Sequence, residues 1–137
     1  MANDDRYCLP SKNFYMNDEK FSIRARIRSF KFSFDGLAAF FRKEHNSWIH
    51  FIATIAILAF SAWVGVTKTE LLAIVFAIGF VWVAEIFNTC IERVMDYISL
   101  ERHPDIRFIK DLASGAVLIA AITAVTVALI IFIPKFL

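Results

Sequence analysis

The sequence predicts an all-α integral membrane protein, with three transmembrane helices behind an amphipathic surface helix. Three observations carry that prediction. Hydrophobic residues make up 58% of the 137-residue chain, above the roughly 45–50% of soluble domains. Residues 49–66 and 112–133 contain no Asp, Glu, Lys or Arg, and each approaches the roughly 20 residues that cross a bilayer. A third apolar run, "LLAIVFAIGFVWVA" at 71–84, continues without a turn signal into "EIFNTCIERVMD". It reaches spanning length only if that polar continuation belongs to the same helix. Helices are required, because a lone open strand leaves its backbone groups unsatisfied in lipid.

The elements follow in chain order. Residues 1–20 lack the apolar core and small-residue cleavage site of a signal peptide, and read as a mobile cytoplasmic tail. The membrane domain then occupies 21–137. Its surface helix, about 22–43, puts Phe30, Phe34, Leu37 and Phe41 on one side and Arg24, Arg28 and Lys31 elsewhere, the pattern of a helix lying in the lipid interface. It serves either as a plain anchor or in substrate binding. Spans follow at about 48–66, 70–97 and 110–133. The tight "TKTE" turn joins the first two, and "SLERHPDIRF", with Pro104, links the second to the third. Trp48, Trp63 and Trp82 fall near span ends and read as interfacial belt residues.

Basic residues set the orientation. Of 15 Lys and Arg, all but Lys68 and Lys135 lie before the first span or between the second and third. By the positive-inside rule those regions, and the N-terminus, are cytoplasmic, and the C-terminus is extracytoplasmic. The net charge of +2 is then a topology signal. No basic patch interleaved with stacking aromatics is present, so no nucleic-acid partner is expected. Cys8 and Cys90 have no metal or redox spacing, and Cys90 reads as a small packing residue.

The second span carries the chemistry. At about 100° per residue, Asn88, Glu92 and Asp96 all fall within roughly 60° of Glu85, one narrow polar stripe. An ionised carboxylate near the bilayer centre costs about 2.5–3.5 kcal/mol on insertion scales, so the stripe cannot face lipid. Glu44 precedes the first span in "FRKEHNSWIH", and "IKDLASG" puts Lys110, Asp111 and Ser114 at the start of the third. All three segments meet the membrane on its cytoplasmic side. Carboxylates with an amide, and no cysteine pair, favour a hard cation such as Mg²⁺, which binds through one or two carboxylates plus phosphates. Phosphoryl transfer from a nucleotide at the membrane surface is the chemistry these parts suit. Neither GxxxxGK[ST] nor GxGxxG occurs among the four glycines, so the Walker and protein-kinase loops are excluded. A small cation transporter, or a non-enzymatic scaffold subunit with a buried polar network, would use the same stripe. A di-iron bundle would require Glu-x-x-His pairs, and none is present.

The "ExxNTxIExxxD" helix formed by Glu85, Asn88, Thr89, Ile91, Glu92 and Asp96, with the later Lys110–Asp111 pair, resembles the prokaryotic diacylglycerol kinase family, which includes the undecaprenol kinases. The likeness covers roughly residues 24–133. It implies a homotrimeric lipid kinase of the bacterial inner (plasma) membrane, with active sites between subunits, passing the γ-phosphate of ATP to a membrane lipid alcohol. Carried onto matching positions, it implies Glu85 as general base, and Glu44 and Glu92 as ligands of Mg²⁺. It places Phe32, Asn88, Glu101, Arg102, His103, Lys110 and Asp111 at the nucleotide. Ser33, Phe34 and Ser114 would border the lipid hydroxyl. Phe32 and Phe34 stand where members often carry Tyr and Trp. "KEHNSWIH" is similar to the form typical of the Gram-positive branch, which tilts the substrate to undecaprenol over diacylglycerol. His50 belongs to that motif; an interfacial histidine bonded to a neighbouring helix is the other reading of it. Glu85, deepest of the four polar residues, loses the most hydration, the condition that makes a carboxylate a base.

Overall fold

The computed structural model describes residues 22–99, 101 and 103–137, and every regular element among them is helical. In order these are α1 (Ile23–Lys43), α2 (His45–Val64), α3 (Lys68–Ile98) and α4 (Pro104–Phe132), with a 3₁₀ turn at Ile133–Lys135. Three of them, α2, α3 and α4, are long and apolar enough to cross a membrane. The tail expected at 1–20 lies outside the described residues.

The chain divides between Leu37 and Ala38 into two units. In residues 22–37, Ile23, Ile27, Phe30 and Phe34 recur every three or four residues, and each is about two-thirds exposed. They make one apolar stripe along α1, as an interfacial helix requires. Phe32 lies roughly opposite Ile23 on the turn of the helix, on the side that carries the charges.

In residues 38–137, local sequence explains where each helix starts and stops. Gly65 closes α2 in the left-handed region, at φ 74°, which glycine enters without steric cost. Its N–H and that of Val66 both reach the carbonyl of Ser61. Thr67 then opens α3 with a capping box: its hydroxyl accepts from the Glu70 N–H, and the Glu70 carboxylate accepts from the Thr67 N–H at 2.6 Å. Lys135 adds an ion pair to Glu70 at 3.1 Å, tying the chain's last turn to the start of α3. Phe60 packs edge-on against Phe132 at the same end, with ring centroids 4.8 Å apart.

The helix α4 begins earlier than the sequence suggests. Pro104 is its first residue, where a missing N–H costs nothing and the ring presets φ. His103 caps it, Nδ1 accepting from the Asp105 N–H. Only residues 99–103 remain as the link, and "PDIRF" is helical.

Most interhelical contact is between α3 and α4, centred on buried Ile74, Val81, Ala113, Ala120 and Ile131. Little else is enclosed. In the most apolar stretches of α2, α3 and α4 only 11%, 22% and 11% of residues are buried, so lipid or further protein must cover the rest. Trp82 departs from the belt reading. It sits mid-helix, its ring against Phe40 and Phe41 and its Nε1–H donating to Thr54 Oγ1 at 3.1 Å. An indole inside a bilayer needs such a partner for its N–H. Cys90 is a free cysteine, exposed on this chain.

Candidate active site

The polar stripe of α3 runs over three successive levels, each paired differently. At the deepest, Glu85 is 5% exposed. Its Oε1 lies 2.6 Å from His50 Nε2 on α2, which settles His50 as bonded across helices. His50 is held in turn, since its carbonyl accepts from Thr54 Oγ1, the group that accepts from Trp82.

One turn along, Asn88 Nδ2 donates to Glu92 Oε1 at 3.1 Å. That bond fixes which way the amide points, leaving Asn88 Oδ1 buried with no partner. A buried acceptor without a donor is costly and calls for an explanation. Glu44, just before α2, is engaged by Arg93, with Nη2 to Oε1 at 2.7 Å. Nothing in the residue pattern singled out Arg93; the signal available was a cation next to Glu92.

At the third level Lys110 Nζ reaches from α4 to Asp96 Oδ1 at 2.7 Å. Asp111 turns elsewhere, pairing with Arg107 at 3.5 Å along its own helix. Adjacent residues on a helix point about 100° apart, so Lys110 and Asp111 are not paired with each other as their adjacency suggests. Both nonetheless line a cleft of about 790 Å³ between the neighbouring ends of α3 and α4. The same cleft is lined by Glu92, Asp96, Glu101, His103, Arg107 and Ser114. Arg107 was not foreseen, though its place four residues before Asp111 is an ion-pair spacing.

Arg102 lies outside the described residues. Phe32, Ser33 and Phe34 belong to the 22–37 unit, where the Ser33 hydroxyl donates to the Ser29 carbonyl of its own helix.

No group of three or more His, Cys, Asp or Glu side chains is gathered for a metal among the described residues. The donors present still fit Mg²⁺ carried on phosphate. Glu92 and the orphaned Asn88 Oδ1 are hard oxygens on the same turn, and Mg²⁺ takes one or two such protein ligands, with phosphate and water completing its shell.

Comparison with known proteins identifies the family. The family model for prokaryotic diacylglycerol kinase matches residues 31–132. The undecaprenol kinase of Bacillus subtilis is 31% identical over 118 residues, 86% of this chain and 96% of that one. A diacylglycerol kinase of Escherichia coli K12 is 31% identical over 99 residues, covering 72% and 81%. That of Synechocystis is 28% identical over 110 residues, and this chain spans 63% of its length. The chain therefore belongs to the prokaryotic diacylglycerol kinase family, and is an ATP-dependent lipid kinase of the membrane.

Proposed function

We propose that the protein phosphorylates the hydroxyl of undecaprenol in preference to diacylglycerol, using Mg·ATP, with Glu85 as general base. The observation that carries this reading is the cleft at the α3–α4 end. It offers Lys110 and Arg107 to phosphates, Glu101 and His103 to the remainder of the nucleotide, and Glu92, about two turns along the helix from Glu85. Phosphoryl transfer needs mainly positioning and charge stabilisation, and these groups suffice for both.

In the reaction the lipid oxygen attacks the γ-phosphorus as its proton passes to Glu85, and the bond to the β–γ bridging oxygen breaks, releasing ADP. Glu92 and Glu44, with Asn88 Oδ1, would hold Mg²⁺, whose charge offsets that of the phosphates. For Glu44 this requires exchange of its Arg93 partner. Lys110 would leave Asp96 for phosphate, and Asp111 with Arg102 would complete the nucleotide contacts. Phe32 is assigned to the nucleotide as well, and Ser33, Phe34 and Ser114 to the path of the lipid hydroxyl.

The α3–α4 end and the N-terminus face the cytoplasm, where ATP is, and the C-terminus is extracytoplasmic. Distribution of Lys and Arg supports that orientation. A homotrimer, with sites shared between subunits, is supported by the family likeness and by the large apolar area each chain leaves uncovered. The preference for undecaprenol rests on "KEHNSWIH" and on the match along 96% of the Bacillus undecaprenol kinase.

Transfer of labelled phosphate from ATP to undecaprenol and to diacylglycerol, each in mixed micelles with Mg²⁺, tests the whole reading. A higher kcat/KM for undecaprenol is expected. A higher value for diacylglycerol reverses the substrate assignment, and transfer that persists in chelator removes the metal from it.

A further inference from the structure

A base in a membrane helix needs more than depth: it must be held still, and its charge must be tolerated. Glu85 is almost fully enclosed, and an isolated anion there would be costly. Its partner is His50. The two atoms, Nε2 and Oε1, are 2.6 Å apart, a separation at which two bare acceptors repel, so one proton lies between them.

His50 is more firmly placed than a surface histidine. Its ring meets Trp82 edge-on at 6.3 Å, and Trp82 is locked by its bond to Thr54 and by Phe40 and Phe41. Thr54 bonds back to the His50 carbonyl. The adjoining groove presents Ala53, Ile57 and Val81, and from α4 Ala121 and Val125, none of which ionises. Among the described residues, Glu85 is therefore the one ionisable group bonded to His50.

We propose that His50 is a positioning residue for the transfer reaction. Nε2–H donates to Oε1 of ionised Glu85 and fixes the carboxylate, so that Oε2 is presented to the lipid hydroxyl. This rests on Glu85 being the base. During the step, the hydroxyl proton goes to Oε2 and the lipid oxygen bonds to the γ-phosphorus. The electron pair of the broken bond leaves with ADP, and the Nε2–H proton stays on His50. Glu85 then gives its proton to water as the product departs. The arrangement has the geometry of a base held by an orienting group through a hydrogen bond, with carboxylate and imidazole in exchanged roles.

Side-chain length provides the test. Glutamine can set an N–H near the position of Nε2, whereas asparagine is too short, though equally polar. The full-length protein in mixed micelles is assayed as His50→Gln, His50→Asn and His50→Leu, with Glu85→Gln alongside. His50→Asn and His50→Leu should lower kcat on the order of 10²-fold, the cost of misplacing a reacting group by about 1 Å. KM for ATP and Mg·ATP binding should stay near their starting values. His50→Gln should recover most of kcat. In the Glu85→Gln background, His50→Asn should cause no further loss, because the two act as one unit. Retention of kcat in His50→Asn overturns the proposal, as does a loss in His50→Gln equal to that in His50→Asn. If His50→Leu fails to fold, the Gln and Asn pair still decides. Full turnover in Glu85→Gln would instead overturn the base assignment itself, a separate outcome.

Discussion

The two ends of the helical unit use similar residues to opposite purpose. At the α2–α3 turn a threonine, a glutamate and a lysine satisfy one another: Thr67 and Glu70 cap α3, and Lys135 closes onto Glu70. Neither the α3–α4 cleft nor the groove beside His50 is lined by Thr67, Glu70 or Lys135. At the α3–α4 end the carboxylates of Glu44 and Asp96 are also paired, with Arg93 and Lys110. Lys110 also lines the open cleft, and Asn88 Oδ1 is left without a donor. The first set closes a helix end: Thr67 and Glu70 bond to each other's backbone N–H, and Lys135 joins the same carboxylate. The second joins side chains to side chains, and in the proposed reaction each pair would be exchanged for phosphate or metal.

That contrast predicts a graded series of losses. Glu85→Gln should lower kcat by about 10²–10⁴-fold, the usual worth of a general base. Folding by circular dichroism and Mg·ATP binding by calorimetry should be intact, and turnover near normal would refute the assignment. Glu92→Gln should next weaken Mg²⁺-dependent ATP binding by more than about tenfold, with partial recovery as Mg²⁺ is raised. Binding insensitive to the change would move the metal elsewhere. Lys110→Met should raise KM for ATP roughly 10–100-fold through the lost charge-assisted bond, while KM for lipid stays put. Arg93→Ala sharpens the comparison from the other side. If Arg93 occupies Glu44 until metal arrives, its removal should lower the Mg²⁺ concentration needed for half-maximal rate by about two- to fivefold, in keeping with an exposed pair; a higher requirement would mean that Arg93 contacts phosphate instead. Smallest in its effect on activity, Thr67→Ala should cost about 1 kcal/mol of stability through the lost cap and leave kcat unchanged.

Much of this contrast could be read from residues alone. The stripe of Glu85, Asn88, Glu92 and Asp96 was legible because helical periodicity fixes which residues share a face. The three long helices were legible because charge-free stretches of that length have few other uses. What escaped were pairings between helices. Periodicity does not say that Lys110 meets Asp96 in preference to Asp111, or that Arg93 meets Glu44. It could not distinguish Trp82, bonded to Thr54 in the interior of the bundle, from a belt tryptophan, because composition gives position along a helix and not rotation toward a neighbour. The start of α4 was hidden by Pro104, which marks a break within a helix but a favourable first residue at its start.

Helix lengths carry one more consequence. At 1.5 Å per residue the 20 residues of α2 measure about 30 Å, matching a typical hydrocarbon core, whereas the 31 residues of α3 measure about 46 Å. The surplus of roughly three turns is the polar half that bears Asn88, Glu92 and Asp96. Glu85 lies about 26 Å along α3 from the Thr67 cap, so with that cap at one membrane surface the helix would act as a ruler that sets Glu85 close to the opposite boundary. With Glu85 as the proposed base, acyl-chain length in the host membrane would act as a control on catalysis: a thicker bilayer would draw Glu85 away from the aqueous nucleotide, and a thinner one would expose it to water.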